Sequence, residues 1–201
     1  MMKFPKLIIG LSAMTFLTGC SFLPISQKIS ESKFQDQLDN METHYYSQAT
    51  VSYNYNMTGT GLLEDYGDKS TGEIIYKFDY SVKSWTYTSR DSKAEDFLIL
   101  LYSLKGRKIT TITYDEDNPE IKITTTYYKN PLKFTVKRNG TFLQSGISFN
   151  INETTSYTMN KYGYCTKVSF KADDSVHGTL SSGITMDGTQ KGTETISISY
   201  K

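Results

Sequence analysis

Polar and apolar residues alternate singly through much of this chain, and that period of two constrains its fold more than any other feature. Val51, Tyr53, Tyr55 and Met57 alternate with Ser52, Asn54, Asn56 and Thr58, which puts apolar groups on one face of a strand and polar groups on the other. The pattern returns at Ile74, Tyr76, Phe78 and Tyr80, at Ile121 to Tyr127, and at Leu132, Phe134 and Val136. It recurs at Tyr162 to Phe170 and at Ile196, Ile198 and Tyr200. Strands with one polar face belong to antiparallel sheets that are wet on one side. Asn139-Gly140, between "KFTVKR" and "TFLQS", predicts a two-residue hairpin turn, and Asn118-Pro119 and Asn130-Pro131 predict two more turns. The tail "LSSGITMDGTQKGTETISISYK" reads as a Gly-rich hairpin, and no internal repeat is visible.

Two segments break the alternation. Ser32-Lys33-Phe34-Gln35 matches a capping box, and Phe34, Leu38, Met41 and Tyr45 recur on one helical face, which predicts a helix to about residue 46. Ser92-Lys93-Ala94-Glu95 is a second capping box, followed by "DFLILLYSLKG" with Gly106 as a terminator, which predicts a helix over 93–104. Phe97 to Leu101 is apolar almost all round, so this helix must be buried or touch something apolar; a buried strand fits the same run less well. The expected fold is mainly β (α+β): a helix, two or three strands, the apolar helix, then seven or so strands of a single antiparallel sheet.

The N-terminus carries a different signal. Lys3 and Lys6 precede an apolar stretch from Leu7 to Leu17, and the small residues Thr18 and Gly19 precede Cys20, the order of a secretory signal peptide. That stretch of eleven residues falls short of the roughly 20 needed to span a bilayer. Leu17-Thr18-Gly19-Cys20 resembles the lipobox of bacterial lipoproteins. The resemblance implies a diacylglyceryl group on the Cys20 thiol, removal of residues 1–19, and an extracytoplasmic location anchored to the bacterial cell membrane. The alternative is an ordinary signal peptide with a cysteine beside its cleavage site. Ser21, where an aspartate commonly marks inner-membrane retention in such lipoproteins, leaves either membrane open. The expected organisation is a signal peptide (1–19), a lipid-anchored tether (20–31) and one β-rich domain (32–201). Residues 21–31, "SFLPISQKISE", could lift that domain no more than roughly 40 Å from the bilayer.

Composition excludes several classes. The chain has 22 Lys and Arg against 21 Asp and Glu, and loss of Lys3 and Lys6 leaves 20 against 21. That balance gives no basic surplus for nucleic acid or for an anionic membrane face. With Cys20 lipidated, Cys165 has no disulfide partner and reads as a small buried side chain. The two histidines, His44 and His177, with no Cys or carboxylates at ligand spacing, give no zinc motif. There is no G-x-S-x-G elbow. "YDEDNPE" (114–120) reads as an acidic turn rather than a calcium loop, and "TGTG" (58–61) as a strand end rather than a phosphate loop. No catalytic residue, metal or cofactor is expected.

Sixteen tyrosines, ten phenylalanines and Trp85 suit a half-exposed sheet, and they also suit a binding surface. In element order the chain is similar to the LolA and LppX group of envelope proteins. That resemblance implies a strongly curved sheet or half-open barrel whose helices close an apolar mouth. Two functional expectations follow. One is a tethered, non-enzymatic module in which Phe97, Leu98, Leu101 and Leu104 enclose a lipid-like or other hydrophobic ligand. The other is an envelope structural or interaction module that meets a protein partner. Continuous apolar space behind those four side chains favours the first, and filled space counts against it.

Overall fold

In a computed structural model, residues 26–109, 112–113, 115–180 and 182–201 are described; Cys20 and the expected signal peptide lie outside them. Among the described residues the strands are β1 (Gln27–Ile29), β2 (Gln48–Gly61), β3 (Asp68–Asp79), β4 (Ser84–Tyr87), β5 (Lys122–Lys129), β6 (Lys133–Gln144), β7 (Ile147–Met159), β8 (Cys165–Thr179) and β9 (Thr185–Tyr200). They form one antiparallel sheet in the order β1-β5-β6-β7-β8-β9-β2-β3-β4. The sheet does not close, and β1 and β4 are its edges. Two meanders, β2 to β4 and β5 to β9, are joined where β9 pairs with β2 from Tyr200 opposite Ala49 to Gly188 opposite Gly61. Five strands rather than seven follow the apolar segment. The strand at Gln27–Ile29, paired with Tyr127 to Lys129, lies within the expected tether.

The alternating residues face inward as their period requires. Val51, Tyr53 and Met57 of β2, Ile74 and Tyr76 of β3, and Ile196 and Ile198 of β9 are buried. Helix α1 (Glu31–Asp39) covers one part of this face, with Phe34 and Leu38 packed against Tyr127, Leu132 and Met159. The segment after β4 covers another part, with Ala94, Phe97 and Leu101 against β2, β3, β8 and β9. Full burial of a side chain such as Phe97 contributes about 1.5–3 kcal/mol.

Both expected helices differ from the reading of the sequence, for identifiable reasons. In α1 the cap is Ser30, whose hydroxyl accepts from the Lys33 N–H at 3.3 Å. Gln35 points away instead: its amide donates to the Arg107 carbonyl and its oxygen accepts from the Ile109 N–H. The helix ends at the Asn40 cap, whose N–H and side-chain amide both donate to the Asp36 carbonyl, the latter at 2.7 Å, and Tyr45 beyond it is exposed instead of on the buried stripe. Residues 93–104 form no α-helix. There the Leu98 N–H bonds the Glu95 carbonyl, while the Ala94 carbonyl, which an α-helix would pair with Leu98, accepts from the Tyr76 hydroxyl at 2.7 Å. The result is a series of turns and one 3₁₀ turn, Leu98–Leu101.

Asn139-Gly140 is not a turn either. Both residues lie within β6, opposite Asn152 and Ile151 of β7, and Gly140 is needed because a Cβ there would come within 2.4 Å of the Glu120 carbonyl. The β6–β7 hairpin turns at Ser145-Gly146, both at positive φ (53° and 82°), as a two-residue turn of this kind requires. The turns at Asn118-Pro119 and Asn130-Pro131 lie where the sequence puts them, but the tail is not itself a hairpin: after a turn it is the single strand β9, paired with β8 on one side and β2 on the other. Strand β8 starts at Cys165, later than expected, because Asn160 holds residues 160–164 in a turn by accepting from the Tyr162 and Tyr164 N–H groups.

Candidate functional site

Beyond the part of the inner face that α1 and residues 92–101 cover, the strands run on and enclose a cleft of about 340 Å³. Its walls come from β2, β6, β7, β8 and β9, with Leu63 to Asp68 and Lys93 at the margin. The register dictates the lining. Phe142 of β6 sits opposite Phe149 of β7, which sits opposite Val176 of β8, and the two rings stack at 4.8 Å. Phe170 of β8 sits opposite Glu194 of β9, and Glu194 opposite Tyr55 of β2. Arg138 is opposite Glu153, and Asp174 opposite Gln190.

The cations of this lining are engaged by carboxylates. Arg138 donates to Glu153 at 2.6 Å and to Asp115 at 2.7 Å. Burial opposes the guanidinium's charge, yet the two carboxylates outweigh it and raise its pKa. Burial likewise works against an ionised Asp115, but Arg138 holds its carboxyl below the usual range. Lys93 pairs with Asp68 at 2.7 Å and lies over the Tyr55 ring. Asp174, 3% exposed, accepts from the Asn152 N–H at 2.7 Å. Burial, reinforced by neighbouring Glu153, pushes its pKa well above the ordinary carboxylate value. Burial also pushes Glu194 up to about 7, with Asp68 adding to the shift and Lys93 opposing it. As pH rises through the neutral range Asp174 and Glu194 therefore gain negative charge between the aromatic walls.

The four expected ligand-binding residues do not gather at this cleft. Phe97 and Leu101 are fully buried in the core cluster, with Leu98 packed against it. Leu104 belongs to the separate cluster around Phe34 and Leu38. Leu101 also borders a recess of about 150 Å³ with Tyr46, Phe78, Trp85 and Tyr164. No family model, curated protein or solved structure matches the chain.

The cleft residues escape a motif search because they are scattered along the chain, but they leave a trace in the alternation. Arg138 follows Phe134 and Val136, Glu153 follows Phe149 and Ile151, and Asp174 follows Phe170 and Ala172, each in the inward phase. Glu194 likewise continues the inward series of Ile198 and Ile196. The other candidate groups stay in structural roles. Asp115 anchors its acidic turn by accepting from the Asp117 and Asn118 N–H groups. Cys165 is buried, and burial pushes its thiol up to about 12. His44 stacks on Tyr162, and His177 pairs with Asp187 on the outer face. Among the described residues no group of three or more His, Cys, Asp or Glu could hold a metal ion, and no helix is long and apolar enough to cross a membrane.

Proposed function

We propose that this chain is a lipid-anchored extracytoplasmic lipoprotein, attached through Cys20, that acts as a non-catalytic binding module for an amphipathic ligand. The cleft carries the reading: its volume of about 340 Å³ lies within the roughly 300–1,000 Å³ of small-molecule sites. On this reading the sheet curves into a half-open barrel, with its filled part acting as scaffold and its open part as receptor. The hydrophobic body of the ligand lies against Phe142, Phe149 and Phe170. Its polar end carries a positive charge, because Asp174 and Glu194 face the cleft while its own cations are already paired.

Native mass spectrometry of the mature chain purified from its host tests this first, since a bound ligand adds a discrete mass. Dodecyltrimethylammonium and dodecyl sulfate, each below its micellar concentration, then test the chemistry. The cation should bind at pH 8, and Asp174→Asn with Glu194→Gln should weaken it by about tenfold or more, near 1.4 kcal/mol. Dodecyl sulfate should bind no better than a soluble control. The second reading, an envelope interaction module without a small ligand, draws on the filled core behind Phe97 and Leu101. It prevails if neither a co-purified mass nor probe binding is found.

A further inference from the structure

The two ends of the sheet differ in charge, although the chain as a whole is nearly neutral. Antiparallel pairing gathers the start of β2, the β3–β4 hairpin, the 160–164 turn and the C-terminus at one end. Gln27, the first residue of β1, lies there too, opposite Lys129 at the end of β5. Tyr45, Tyr80 and Val82 project from this end at 69%, 57% and 64% exposure. Exposed Lys28, Lys83 and Lys161 stand among them, against the carboxylates of Glu42 and Asp79; the Lys161 ammonium lies 4.8 Å from the Tyr162 ring centre. The recess of about 150 Å³ is bordered by Tyr45 and Lys83 at this same end. The opposite end exposes Glu64, Asp65, Glu116 and Asp117 alongside Lys69 and Lys122, and its exposed apolar residues include Leu143 and Ile184 on uncharged hairpin tips.

We propose that the lysine and tyrosine end docks on the anionic headgroup layer of the bilayer that holds the Cys20 lipid, an inference that rests on the anchoring proposed above. Tether length chooses between the ends. From Cys20 to Gln27 is seven residue steps, no more than roughly 25 Å when fully extended, whereas the 15 residues of β8 span about 50 Å. The anchored chain therefore holds its lysine end at the membrane and its acidic end away from it. Tyrosine rings suit the headgroup level, and lysines close to an anionic surface are drawn to it while carboxylates are repelled. The balance of charge read from composition conceals this separation.

The test uses the full-length lipidated chain reconstituted into vesicles of phosphatidylcholine, with and without phosphatidylglycerol, and read by hydrogen exchange. Phosphatidylglycerol should slow exchange in residues 79–84 and 160–164 by about fivefold or more. Lys83→Glu with Lys161→Glu should abolish that protection while leaving exchange in β7 and β8 unchanged. Equal exchange of 79–84 in both vesicles, or protection at 143–147 and 182–185 instead, overturns the proposal. The intact mass separates the two ideas: a chain without lipid on Cys20 defeats the anchoring, while a lipidated chain without protection defeats only the docking. Should the lipid be absent, co-sedimentation of the unlipidated chain with the same vesicles decides the docking, binding supporting it and no binding overturning it.

Discussion

The inner face of one continuous sheet is used in two ways. On one part, Ile74, Tyr76, Val168 and Ile196 meet Ala94, Phe97 and Leu101 with little or no solvent exposure. On the other, the same strands continue to Tyr55, Phe170, Asp174 and Glu194 around open space. Backbone pairing is unbroken across the boundary in β8 and β9, so hydrogen bonding does not separate the two. What separates them is cover and charge: α1 and residues 92–101 stop short, and inward positions beyond them include Arg138, Glu153, Asp174 and Glu194. A buried charge must be paired or neutralised, and this part of the sheet uses both routes. The lesson is that an apolar stripe specifies a core only for as long as a second apolar element lies over it.

The largest expected effect lies in the filled part. Phe97→Ala should cost about 3–5 kcal/mol in denaturant unfolding, because fully buried neighbours leave a cavity. Phe149→Ala, in the half-buried wall of the cleft, should cost less than about 2 kcal/mol, and comparable losses would break the distinction. Arg138→Met should destabilise by about 2–4 kcal/mol, since Asp115 and Glu153 are left facing each other without their cation.

Glu194 gives the opposite sign. Its folded pKa of about 7 lies above the ordinary 4.5, so between those values the native state holds more protons than the unfolded one. Stability from this group is therefore fully present below about pH 4.5 and is lost as pH rises through about 7. Glu194→Gln should flatten that slope and raise stability at pH 8 by about 1–3 kcal/mol; urea midpoints measured at pH 5 and pH 8 check it. The smallest effect is the cap of the covering helix, where Ser30→Ala should cost about 1 kcal/mol. The loss should appear as faster amide exchange in residues 33–38 with little change at the cleft.

Much of the sheet was legible because a period of two is a local property. The inward residues of β2, β3 and β9 follow from it directly, and so does the antiparallel pairing. In the apolar run at 97–101 only Phe97 and Leu101 are fully buried while Ile99 is exposed, and the backbone form depends on Tyr76, which lies outside the segment and takes the Ala94 carbonyl. A capping box read locally cannot register that competition. Asn139-Gly140 failed similarly, because the glycine serves the close approach of Glu120 and no turn. For the cleft, the charged residues in the inward phase were visible in the alternation, yet only the register brings Arg138 beside Glu153 and Glu194 beside Phe170.

The junction of the two meanders also sets an order of events. Ala49 of β2 pairs with Tyr200 of β9, and the Ser47 and Gln48 N–H groups bond the carbonyl of Lys201, so the middle of the sheet waits for β9 to be synthesised. Contacts this distant in sequence form slowly. Before the last strand arrives, β2 to β4 and β5 to β8 are two separate pieces with unpaired edges. The two pieces become one sheet only once β9 is in place between them.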